Sequence, residues 1–466
     1  MSHSYDLIIV GGGLTGLTAA YRAQQRGWKF LLVEASQRLG GSLETLHADG
    51  LLQELGAESM VTAKPWGKDL ILELGLGDQL VSPQPEFHKT MIVRHGKLVP
   101  IPEGLRLLAP SQWFPFLRSP AVSWWGKLRM GLEFFVPARR DNRDESLASF
   151  VRRRLGKEAL QRIAQPMVAG IYTADPETLS MRATLPQFLE YERKYGSVCR
   201  GLLLSPEARA SRGPRYHLFN SLKGGFGQLI AALRDRLPAE SIRCGKSVGH
   251  IRPLDGGGWQ VDGETTPRLL LATPTYAMAD LIRPFDGPAA SLLQKLEYLS
   301  SATVNLAYPL ASADRSTRGY GFVVPAVEGR DILACTFSHR KYPDRTPPDT
   351  ALLRTYVGGA ARPEALAWSD EEMVARSHME LSRLLGIGEP PISSVVKRYV
   401  RAMPLYRTGH LDWLSTLEDR LSRWQGLGWA GNAYRGVGIP DCVRSANEAV
   451  ARLGDVAPRP APSDHR

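Results

Sequence analysis

The spacing of apolar residues near the N-terminus predicts a strand, a helix and a second strand. The run Asp6–Val10 is apolar almost throughout, as a parallel strand buried on both faces is. Apolar residues at 17, 20 and 23 then follow with helical spacing, and a second apolar strand is predicted over Phe30–Val33. Near the other end, the apolar stretch 427–430 precedes a glycine-rich turn and a helical pattern at 443–453. Both ends are therefore typical of a doubly wound α/β domain.

Between these segments the apolar pattern changes twice. Residues 103–183 are predicted to be mostly helical, because apolar residues such as Leu147 and Phe150 stand near helical spacing. Residues 241–273 alternate between apolar and polar as strands do, and residues 300–360 are again rich in strand patterns. The predicted fold class is α/β, with a discontinuous Rossmann-like domain, a sheet-containing substrate domain and a helical insertion.

The predicted parts interleave along the chain. The C-terminal tail is predicted to be disordered, because it is rich in proline and polar residues. The boundaries that we assign are 1–87, 215–290 and 410–455 for the nucleotide-binding domain, 88–102, 184–214 and 291–409 for the substrate-binding domain, 103–183 for the helical insertion, and 456–466 for the disordered tail.

Gly11, Gly13 and Gly16 form the pattern G-x-G-x-x-G between the first strand and the first helix. The first glycine permits a tight turn, the second lets the backbone approach a pyrophosphate, and the third lets helix and strand pack closely. The helix N-terminus supplies free N–H groups and the positive end of its dipole. Glu34 ends the second strand, where a carboxylate can accept hydrogen bonds from an adenosine ribose and disfavours a 2′-phosphate. This segment predicts a dinucleotide other than NADP.

The residues after the ribose-binding acid favour FAD over NAD. Arg38 and the pair Gly40–Gly41 add a cation and a second glycine turn, which suit a longer dinucleotide. Residues 56–59 form another turn of small residues that permits close approach. The glycine-rich turn at 431–442 is predicted to meet the other end of the cofactor, with Asp441 capping the helix that follows.

Composition and charge narrow the class of protein. The 466 residues are 43% hydrophobic and 23% charged, as in soluble globular proteins of two or three domains. No apolar run approaches the roughly 18 to 20 residues that span a bilayer, and no signal peptide is predicted, so we expect a cytoplasmic protein. The four cysteines are far apart, which predicts neither disulfides nor a metal site. The net charge of +11 fits an anionic membrane surface or a poly-carboxylate substrate; without a nucleic-acid-binding motif, we expect no nucleic-acid partner.

Several motifs occur together in the order found in one family. Residues 144–181 read D-E-S, then a basic helix, then P…GIY…DP…LS. Further motifs follow in order: GYGFVVP at 319–325, YPDR at 342–345, YVGG at 356–359, AMPLY…GH at 402–410 and AGNAYRGVGIPDC at 430–442. With the glycine turn, its acid and the R-x-G-G at 38–41, the chain resembles the protoporphyrinogen/coproporphyrinogen oxidase family of the flavin amine oxidase superfamily. The resemblance extends over nearly the whole chain.

The resemblance implies FAD and the oxidation of a porphyrinogen to a porphyrin in haem biosynthesis. Protoporphyrinogen IX is the predicted substrate and O2 the predicted acceptor, with six electrons removed by hydride transfer to flavin N5. Catalytic residues are not predicted, because no general base stands out. Coproporphyrinogen III is the alternative substrate, and its four propionates would need more pocket cations. A flavin amine oxidase or a carotenoid desaturase is the other alternative, in which Tyr406, Trp429 and Tyr434 could imitate an amine-binding aromatic pair.

The candidate site residues follow from these turns and from the resemblance. The predicted cofactor-binding residues are Gly11, Gly12, Gly13, Leu14, Thr15, Gly16, Glu34, Ala35, Arg38, Gly40, Gly41, Ser42, Gly56, Ala57, Glu58, Ser59, Val248, Asn432, Val437, Gly438 and Ile439. The predicted substrate-binding residues are one rim cation and four apolar walls: Lys89, Val304, Leu306, Phe322 and Phe337. Family members often carry an arginine for a propionate near Lys89, and a lysine replaces it only as a point charge. The alternative for each of the four apolar residues is that it belongs to the ordinary core of a sheet and not to the wall of a pocket.

Residues 111–129 combine aromatic side chains with cations. The aromatic residues are Trp113, Phe114, Phe116, Trp124 and Trp125. Rings beside cations suit a membrane interface, and a buried aromatic cluster is the alternative. The resemblance favours a peripheral contact at the inner face of the membrane, and a homodimer is left open.

Overall fold

The computed structural model describes residues 4–206 and 219–455. The predicted disordered tail, and the parts of the predicted domains within 207–218, lie outside the described residues. The strands are β1 Leu7–Val10, β2 Phe30–Val33, β3 Thr45–Ala48, β4 Leu51–Glu54, β5 Met60–Val61, β6 Leu80–Val81, β7 Thr90–Arg94, β8 Lys97–Pro100, β9 Leu105–Arg106, β10 Ala109–Pro110, β11 Phe219–Leu222, β12 Ile242–Arg243, β13 Ile251–Pro253, β14 Trp259–Val261, β15 Glu264–Thr266, β16 Leu269–Leu271, β17 Tyr298–Pro309, β18 Gly321–Val323, β19 Ala334–Phe337, β20 Thr350–Gly358, β21 Ser393–Pro404 and β22 Leu427–Trp429.

The helices alternate with these strands in two regions and form a continuous run between β10 and β11. They are α1 Leu14–Gln25, α2 Pro65–Glu73, α3 Trp113–Arg118, α4 Trp124–Gly131, α5 Leu147–Arg154, α6 Lys157–Ala159, α7 Gln165–Tyr172, α8 Met181–Thr184, α9 Pro186–Tyr195, α10 Val198–Leu204, α11 Gly227–Arg234, α12 Thr275–Ile282, α13 Gly287–Gln294, α14 Leu310–Ala313, α15 Ser338–Lys341, α16 Asp370–Leu385, α17 His410–Leu421 and α18 Ile439–Gly454. A π-helical turn, Leu160–Ala164, joins α6 to α7.

A parallel sheet in the order β12-β2-β1-β16-β22 joins the two ends of the chain. All four residues of β1 are buried, because its apolar side chains meet a layer on each side of the sheet. One face packs against α1, α2, α11 and α18, and the other against α12, α13, α17 and the small sheet β13–β15. The carboxyl ends of parallel strands lie at one edge, so the segments that follow β1, β2 and β22 are neighbours there.

A second sheet has the order β21-β17-β20-β19-β18-β7-β8, and one of its faces packs against α16. Its long strand β17 contributes Ala302, Val304 and Leu306 to that packed core. Successive residues of a strand point to opposite faces, so Thr303 and Asn305 lie on the other face. One face of this sheet is therefore apolar and packed against α16, and the other carries polar side chains.

The helices α3 to α10 share a separate core that includes Phe150 and Val168. Helices α9 and α10 contribute Phe188 and Val198 to the same core. Residues 186–204 thus pack with the helical insertion, and the predicted assignment of this segment to the substrate-binding domain was wrong. The reason is that the apolar stripes of these two helices face the helical core and not the sheet.

The aromatic residues of segment 111–129 differ in burial. Phe116 is fully buried, and its ring meets Trp113 edge to face at 5.9 Å. Phe114, Trp124 and Trp125 are exposed. Within residues 4–206 and 219–455, no helix has both the length and the apolar character needed to cross a bilayer.

We call the helices α3 to α10, which share one core, the helical unit. A fully buried ion pair holds it together. Glu133 and Arg154 have no exposed side-chain surface, and the Arg154 Nε donates to the Glu133 carboxylate at 2.8 Å. The backbone N–H of Val198 also donates to this carboxylate at 2.8 Å, and the Ser197 hydroxyl donates to it as well. Glu133 therefore joins α5 to the N-terminus of α10.

Replacing Glu133 with alanine should destabilise the protein by about 3–5 kcal/mol, because the buried Arg154 would lose its shorter ion pair and keep only the Glu192 carboxylate, at 3.4 Å. Thermal and urea unfolding of the purified protein would measure the loss. Glu177→Ala is the matched control, because Glu177 is 54% exposed and pairs with Arg152 at the surface. Equal unfolding midpoints for both variants would contradict this account of the core.

Candidate cofactor and substrate site

The first glycine turn follows β1 and leads directly into α1. Gly11 has φ +108°, and a Cβ there would lie 2.6 Å from the carbonyl oxygen of Ala272. A Cβ on Gly16 would lie 1.8 Å from the Gly11 carbonyl oxygen, so helix and strand pack as closely as predicted. A Cβ on Gly13 would meet only Gly41, at 3.8 Å, so this position stays open towards a ligand.

The N-terminus of α1 is free to bind an anion. Gly13 is its N-cap, no side chain caps it, and its first turn holds no acid. The side chains of Leu14 and Thr15 are buried, so this turn offers backbone N–H groups and not side chains. The Thr15 side chain forms a hydrogen bond with Cys442 of α18, a thiol whose pKa is raised by burial to about 11. The donor set is that of a pyrophosphate site.

Glu34 lies directly after β2 at the same edge of the sheet. Its two carboxylate oxygens accept backbone hydrogen bonds from Gly12 at 2.6 Å and from Ser36 at 2.8 Å. The acid thus bridges the glycine turn and the exposed turn that begins at Ala35. Val248 lines a shallow cavity with Val33, the residue before this acid. Glu34 and Val248 therefore lie near one another, where the adenosine end of a dinucleotide was predicted.

Arg38 stabilises the second glycine turn from within. Its guanidinium donates to the carbonyls of Leu39 at 3.0 Å and Leu43 at 2.9 Å, and also to that of Gly41. The Gly40 N–H in turn donates to the Gly12 carbonyl at 2.9 Å, which joins the two glycine turns. Arg38 thus shapes the turn that ends in the exposed Ser42, and its charge is engaged by protein carbonyls.

The turn at 56–59 is held by the second sheet. A Cβ on Gly56 would lie 1.9 Å from the Ser42 carbonyl oxygen, so these two turns touch. Arg354 of β20 donates to the carbonyls of Leu55, at 2.8 Å, and Gly56. Tyr342 donates to the Ser59 hydroxyl at 2.8 Å. Ala57 is the exposed residue of the turn.

Glu58 is an internal ion-pair partner. It is 6% exposed, and its carboxylate pairs with Lys341 at 3.1 Å and accepts a hydrogen bond from Ser338. Burial works against ionisation, but Lys341 and Arg354 hold the pKa of Glu58 below its ordinary value. The charge of Glu58 therefore fastens the turn to α15.

The C-terminal turn is fastened by a buried tyrosine. The Tyr406 hydroxyl donates to the Asn432 carbonyl at 2.5 Å and accepts from the Gly436 N–H at 2.9 Å. Its ring stacks on His410 with 4.0 Å between the ring centroids, and the Nε2 of His410 lies 2.9 Å from the Tyr434 carbonyl oxygen. Protein hydrogen bonds thus hold the turn in shape at both of its ends.

Gly438, not Asp441, is the N-cap of α18. The predicted capping role of Asp441 was wrong, because its carboxylate lies one turn further on and pairs with Lys64 at 2.7 Å. The first turn of α18 begins with Ile439, whose side chain is buried in the core, while Val437 is only half-buried. The open part of this turn is therefore at Val437 and Gly438, just before the buried Ile439.

The predicted substrate-binding residues do not come together. Lys89 is exposed at the start of β7, where its carbonyl accepts from the Tyr320 N–H at 2.8 Å. Val304, Leu306, Phe322 and Phe337 are at most 1% exposed and pack in the core between the second sheet and α16. Their prediction as pocket walls was wrong, since the alternation along each strand turns them away from the cofactor turns.

Sequence reasoning missed the residues of the opposite sheet face. Thr303 donates to the Leu55 carbonyl at 3.0 Å, and Tyr399 donates to the Ser42 carbonyl at 3.4 Å. Tyr356 lies on this face beside Thr336, with 3.3 Å between the hydroxyl oxygens. The sequence did carry a signal for these residues. In β17 and β20 alternate residues, most of them apolar, pack against α16, and the residues between them include the polar Thr303, Arg354 and Tyr356.

The aromatic residues that could imitate an amine-binding pair do not form one. Tyr406 is buried against His410, and the Tyr434 hydroxyl lies 3.5 Å from the Met278 sulfur in a different core. Trp429 belongs to β22 and packs against that second core. These side chains support the sheet and the turn, and they do not face one another across a pocket.

Taken together, two glycine turns and the Glu34 carboxylate at one edge of a parallel sheet are typical of a dinucleotide-binding flavoprotein. The residues fit FAD, because the turns after β1 and β22 offer uncapped helix N-termini and open glycine positions at both ends of an extended ligand.

Comparison with known proteins agrees with this class. The chain matches the family of flavin containing amine oxidoreductases over residues 14–454. It is 32% identical to the coproporphyrinogen III oxidase of Propionibacterium freudenreichii subsp. freudenreichii, over 99% of this chain and 93% of the relative. It is 29% identical to protoporphyrinogen oxidase 1, chloroplastic, of Arabidopsis thaliana, over 97% and 89%. A crystal structure of a candidate protoporphyrinogen oxidase from Exiguobacterium sp. 255-15 is 31% identical, with TM-score 0.85 and coverage of 97% and 99%.

The chain belongs to the flavin containing amine oxidoreductase family, and it is an FAD-dependent oxidoreductase. The predicted resemblance to the protoporphyrinogen/coproporphyrinogen oxidases is confirmed, because relatives with these names match nearly the whole chain.

Replacing Gly438 with valine should weaken FAD binding about tenfold or more without unfolding the protein, a change of about 1.4 kcal/mol. Gly438 has φ −80°, which any residue adopts, and the nearest protein atom to an added Cβ is 3.4 Å away. The added bulk would therefore meet the cofactor and not the protein. Fluorescence titration of the FAD-free protein would measure the affinity.

Gly388→Val is the control, because a Cβ at this exposed glycine has no neighbour within 4 Å. It should bind FAD as the wild-type protein does. Wild-type affinity in the Gly438→Val protein would remove this turn from the cofactor site.

Proposed function

We propose that this chain oxidises a porphyrinogen to the corresponding porphyrin in haem biosynthesis, with O2 as the final electron acceptor. The observation that carries the proposal is the extent of the similarity. Relatives named for coproporphyrinogen III and protoporphyrinogen oxidation match 97–99% of this chain. The similarity thus extends beyond the cofactor turns to the helical unit and the second sheet.

Bound FAD would supply the two-electron acceptor for each oxidation step. The chain's own task is to bind the cofactor, orient the substrate and exclude water. The turns at 11–16 and 431–438 would hold the two ends of FAD, with Glu34 at the ribose. His410 supports the second turn as a neutral side chain, because burial lowers its pKa below the ordinary value. Its role is structural.

Protoporphyrinogen IX remains the proposed substrate, because few cations are predicted at the rim of the pocket and this substrate has fewer propionates to bind. Lys89 is the one predicted rim cation, and its side chain is exposed. Coproporphyrinogen III is the second candidate, favoured by the name of the relative that is 32% identical, against 29% for the protoporphyrinogen oxidase. The two substrates differ in carboxylate number, so the rim residues should discriminate between them.

Anaerobic mixing of the FAD-loaded protein with each porphyrinogen in turn would test both levels of the proposal. We expect the flavin absorption band to bleach with a porphyrinogen and to return when O2 is admitted, with porphyrin fluorescence appearing in parallel. The porphyrinogen that bleaches the band faster at equal concentration is the preferred substrate.

Polyamines and cyclic amines serve as the comparison substrates in the same assay. Bleaching by an amine but by neither porphyrinogen would overturn the proposed function. Faster bleaching by coproporphyrinogen III would overturn only the choice of substrate.

We also propose that the helical unit contacts an anionic lipid surface. Seven large apolar side chains between residues 113 and 135 are 41–80% exposed: Phe114, Leu117, Trp124, Trp125, Leu128, Leu132 and Phe135. Trp124, Leu128 and Leu132 recur every four residues, which places them along one side of the helix. Lys127 joins α4 to α3 by donating to the Leu117 carbonyl at 2.7 Å. The result is one apolar surface formed by two helices.

A cation accompanies this surface. The guanidinium of Arg118 lies 4.3 Å from the centre of the Phe114 ring and is exposed to solvent. Rings that bury in the interface beside a cation that meets phosphate are the usual composition of a peripheral lipid contact.

The double variant Trp124→Ser/Trp125→Ser should lose several-fold in flotation with vesicles of phosphatidylglycerol and phosphatidylcholine. The control is Ile392→Ser/Val400→Ser, which removes a similarly exposed apolar pair from β21 and the residue before it (62% and 66% exposed). The control should float like the wild-type protein. Equal flotation of the tryptophan variant would exclude these residues from a lipid contact.

A further inference from the structure

A cavity of about 110 Å³ lies beside the loop that joins β18 to β19. One water molecule needs roughly 10–15 Å³ of such a cavity, so this one has room for a small molecule of several non-hydrogen atoms. Its walls combine apolar side chains, most of them buried, with two arginines. The lining includes Val324, Ile332, Leu333 and Ala361 beside Arg330 and Arg362.

The loop that forms this cavity is fastened to the helical unit. The Ala326 N–H donates to the Gln165 Oε1 at 2.8 Å, and Glu328 pairs with Arg162. Arg162 belongs to the π-helical turn Leu160–Ala164, which joins α6 to α7. Turns of this kind are rare and occur frequently at functional sites. The cavity therefore lies where the second sheet meets the helical unit, and none of its lining residues belongs to a cofactor turn.

The charge of the lining favours an anion. Its ionisable residues are the two arginines, and no acid lines the cavity within the described part of the chain. The acids nearby are engaged by other groups: Asp331 accepts from Arg376 at 3.0 Å, and Glu364 pairs with Arg362 at 3.4 Å. A concave site lined by charges of one sign attracts a ligand of the opposite sign.

Arg330 has an unused donor at this cavity. Its Nη1 donates to Glu380 of α16 at 2.8 Å, which orients the guanidinium. Its Nε is buried and has no hydrogen-bond partner in the described part of the chain. Nε and Nη2 form one edge of a guanidinium, a fork that matches the two oxygens of a carboxylate. Arg362 instead donates to the carbonyls of Gly329, at 2.8 Å, and Arg330, at 3.3 Å, and so holds the loop in shape.

We propose that this cavity binds a short-chain carboxylate, with the Arg330 guanidinium on the carboxylate and Val324, Ile332 and Leu333 around the carbon chain. Inorganic phosphate suits the site less well, because it has no apolar part to place against these walls. A free short-chain acid and the propionate side chain of a tetrapyrrole present the same group, and separate titrations distinguish these two sources. The inference does not depend on the proposed function, because binding is measured without turnover.

Calorimetric titration of the FAD-loaded protein with sodium propionate tests the inference. Propionamide, which has nearly the same shape and no charge, is the comparison ligand. We expect propionate to bind with a Kd of roughly 1–10 mM, and propionamide to bind at least about tenfold more weakly, because it loses the charge-assisted pair with Arg330. Arg330→Gln should weaken propionate binding about tenfold or more. Ala361→Trp should do the same, because it adds bulk to the lining and leaves the ion pair of Arg330 with Glu380 in place.

Arg383→Gln is the matched control, because Arg383 pairs with the same Glu380 at 3.7 Å and does not line the cavity. It should bind propionate as the wild-type protein does. No binding of propionate by the wild-type protein, or equal binding of propionate and propionamide, would overturn the inference. Wild-type affinity for propionate in both Arg330→Gln and Ala361→Trp would overturn it as well.

Titration with coproporphyrin III, followed by quenching of tryptophan fluorescence, identifies the source of the carboxylate. A loss of coproporphyrin affinity of about tenfold or more in Arg330→Gln and Ala361→Trp, alongside the loss of propionate binding, would assign the cavity to a propionate side chain of the tetrapyrrole. Unchanged coproporphyrin affinity in the same two proteins would assign it to a free short-chain acid.

Discussion

The pairing of β1, β16 and β22 in one parallel sheet is the constraint on which the site depends. An extended dinucleotide needs backbone donors at two separated places, and parallel strands deliver their carboxyl ends to a single edge. Because β22 pairs with β16 and β16 with β1, the turn at 431–438 lies at the same edge as the turn at 11–16. The last helix then packs beside the first. A chain of 466 residues thus completes its cofactor site only near its end.

Side chains around this edge mostly stabilise the turns. Arg38 binds the carbonyls of its own turn, Glu58 pairs with Lys341, and Tyr406 joins both sides of the C-terminal turn. Each of these groups is satisfied by protein atoms, which hold the turns in shape. Turns that are held in this way bind a cofactor with less loss of conformational entropy than flexible ones. This arrangement leaves the backbone, and glycine positions such as Gly13, to meet the ligand.

The second sheet and the helical unit serve the same edge from the other side. One face of β17 and β20 builds a core with α16, and the opposite face reaches the turn at 56–59 through Thr303 and Arg354. The helical unit meets the second sheet at the end of α7, where the Thr173 carbonyl accepts from the Ala360 N–H. The turns of the parallel sheet are thus supported by side chains of the second sheet, through polar residues that its packed core with α16 does not use.

The sequence by itself determined the glycine turns, the acid after β2, the α/β class and the FAD cofactor, because these depend on local sterics and on the period of apolar residues. It also pointed to the helical insertion, although the boundary at 183 separated α9 and α10 from the core that they share. Only the tertiary structure decided which face of the second sheet meets the site, which is why Val304 and Phe322 were predicted as pocket walls. An alternating pattern shows that a strand has two faces, but not what each face contacts. The partners of Arg38 and Asp441 were decided in the same way, by contacts that form only in the folded chain.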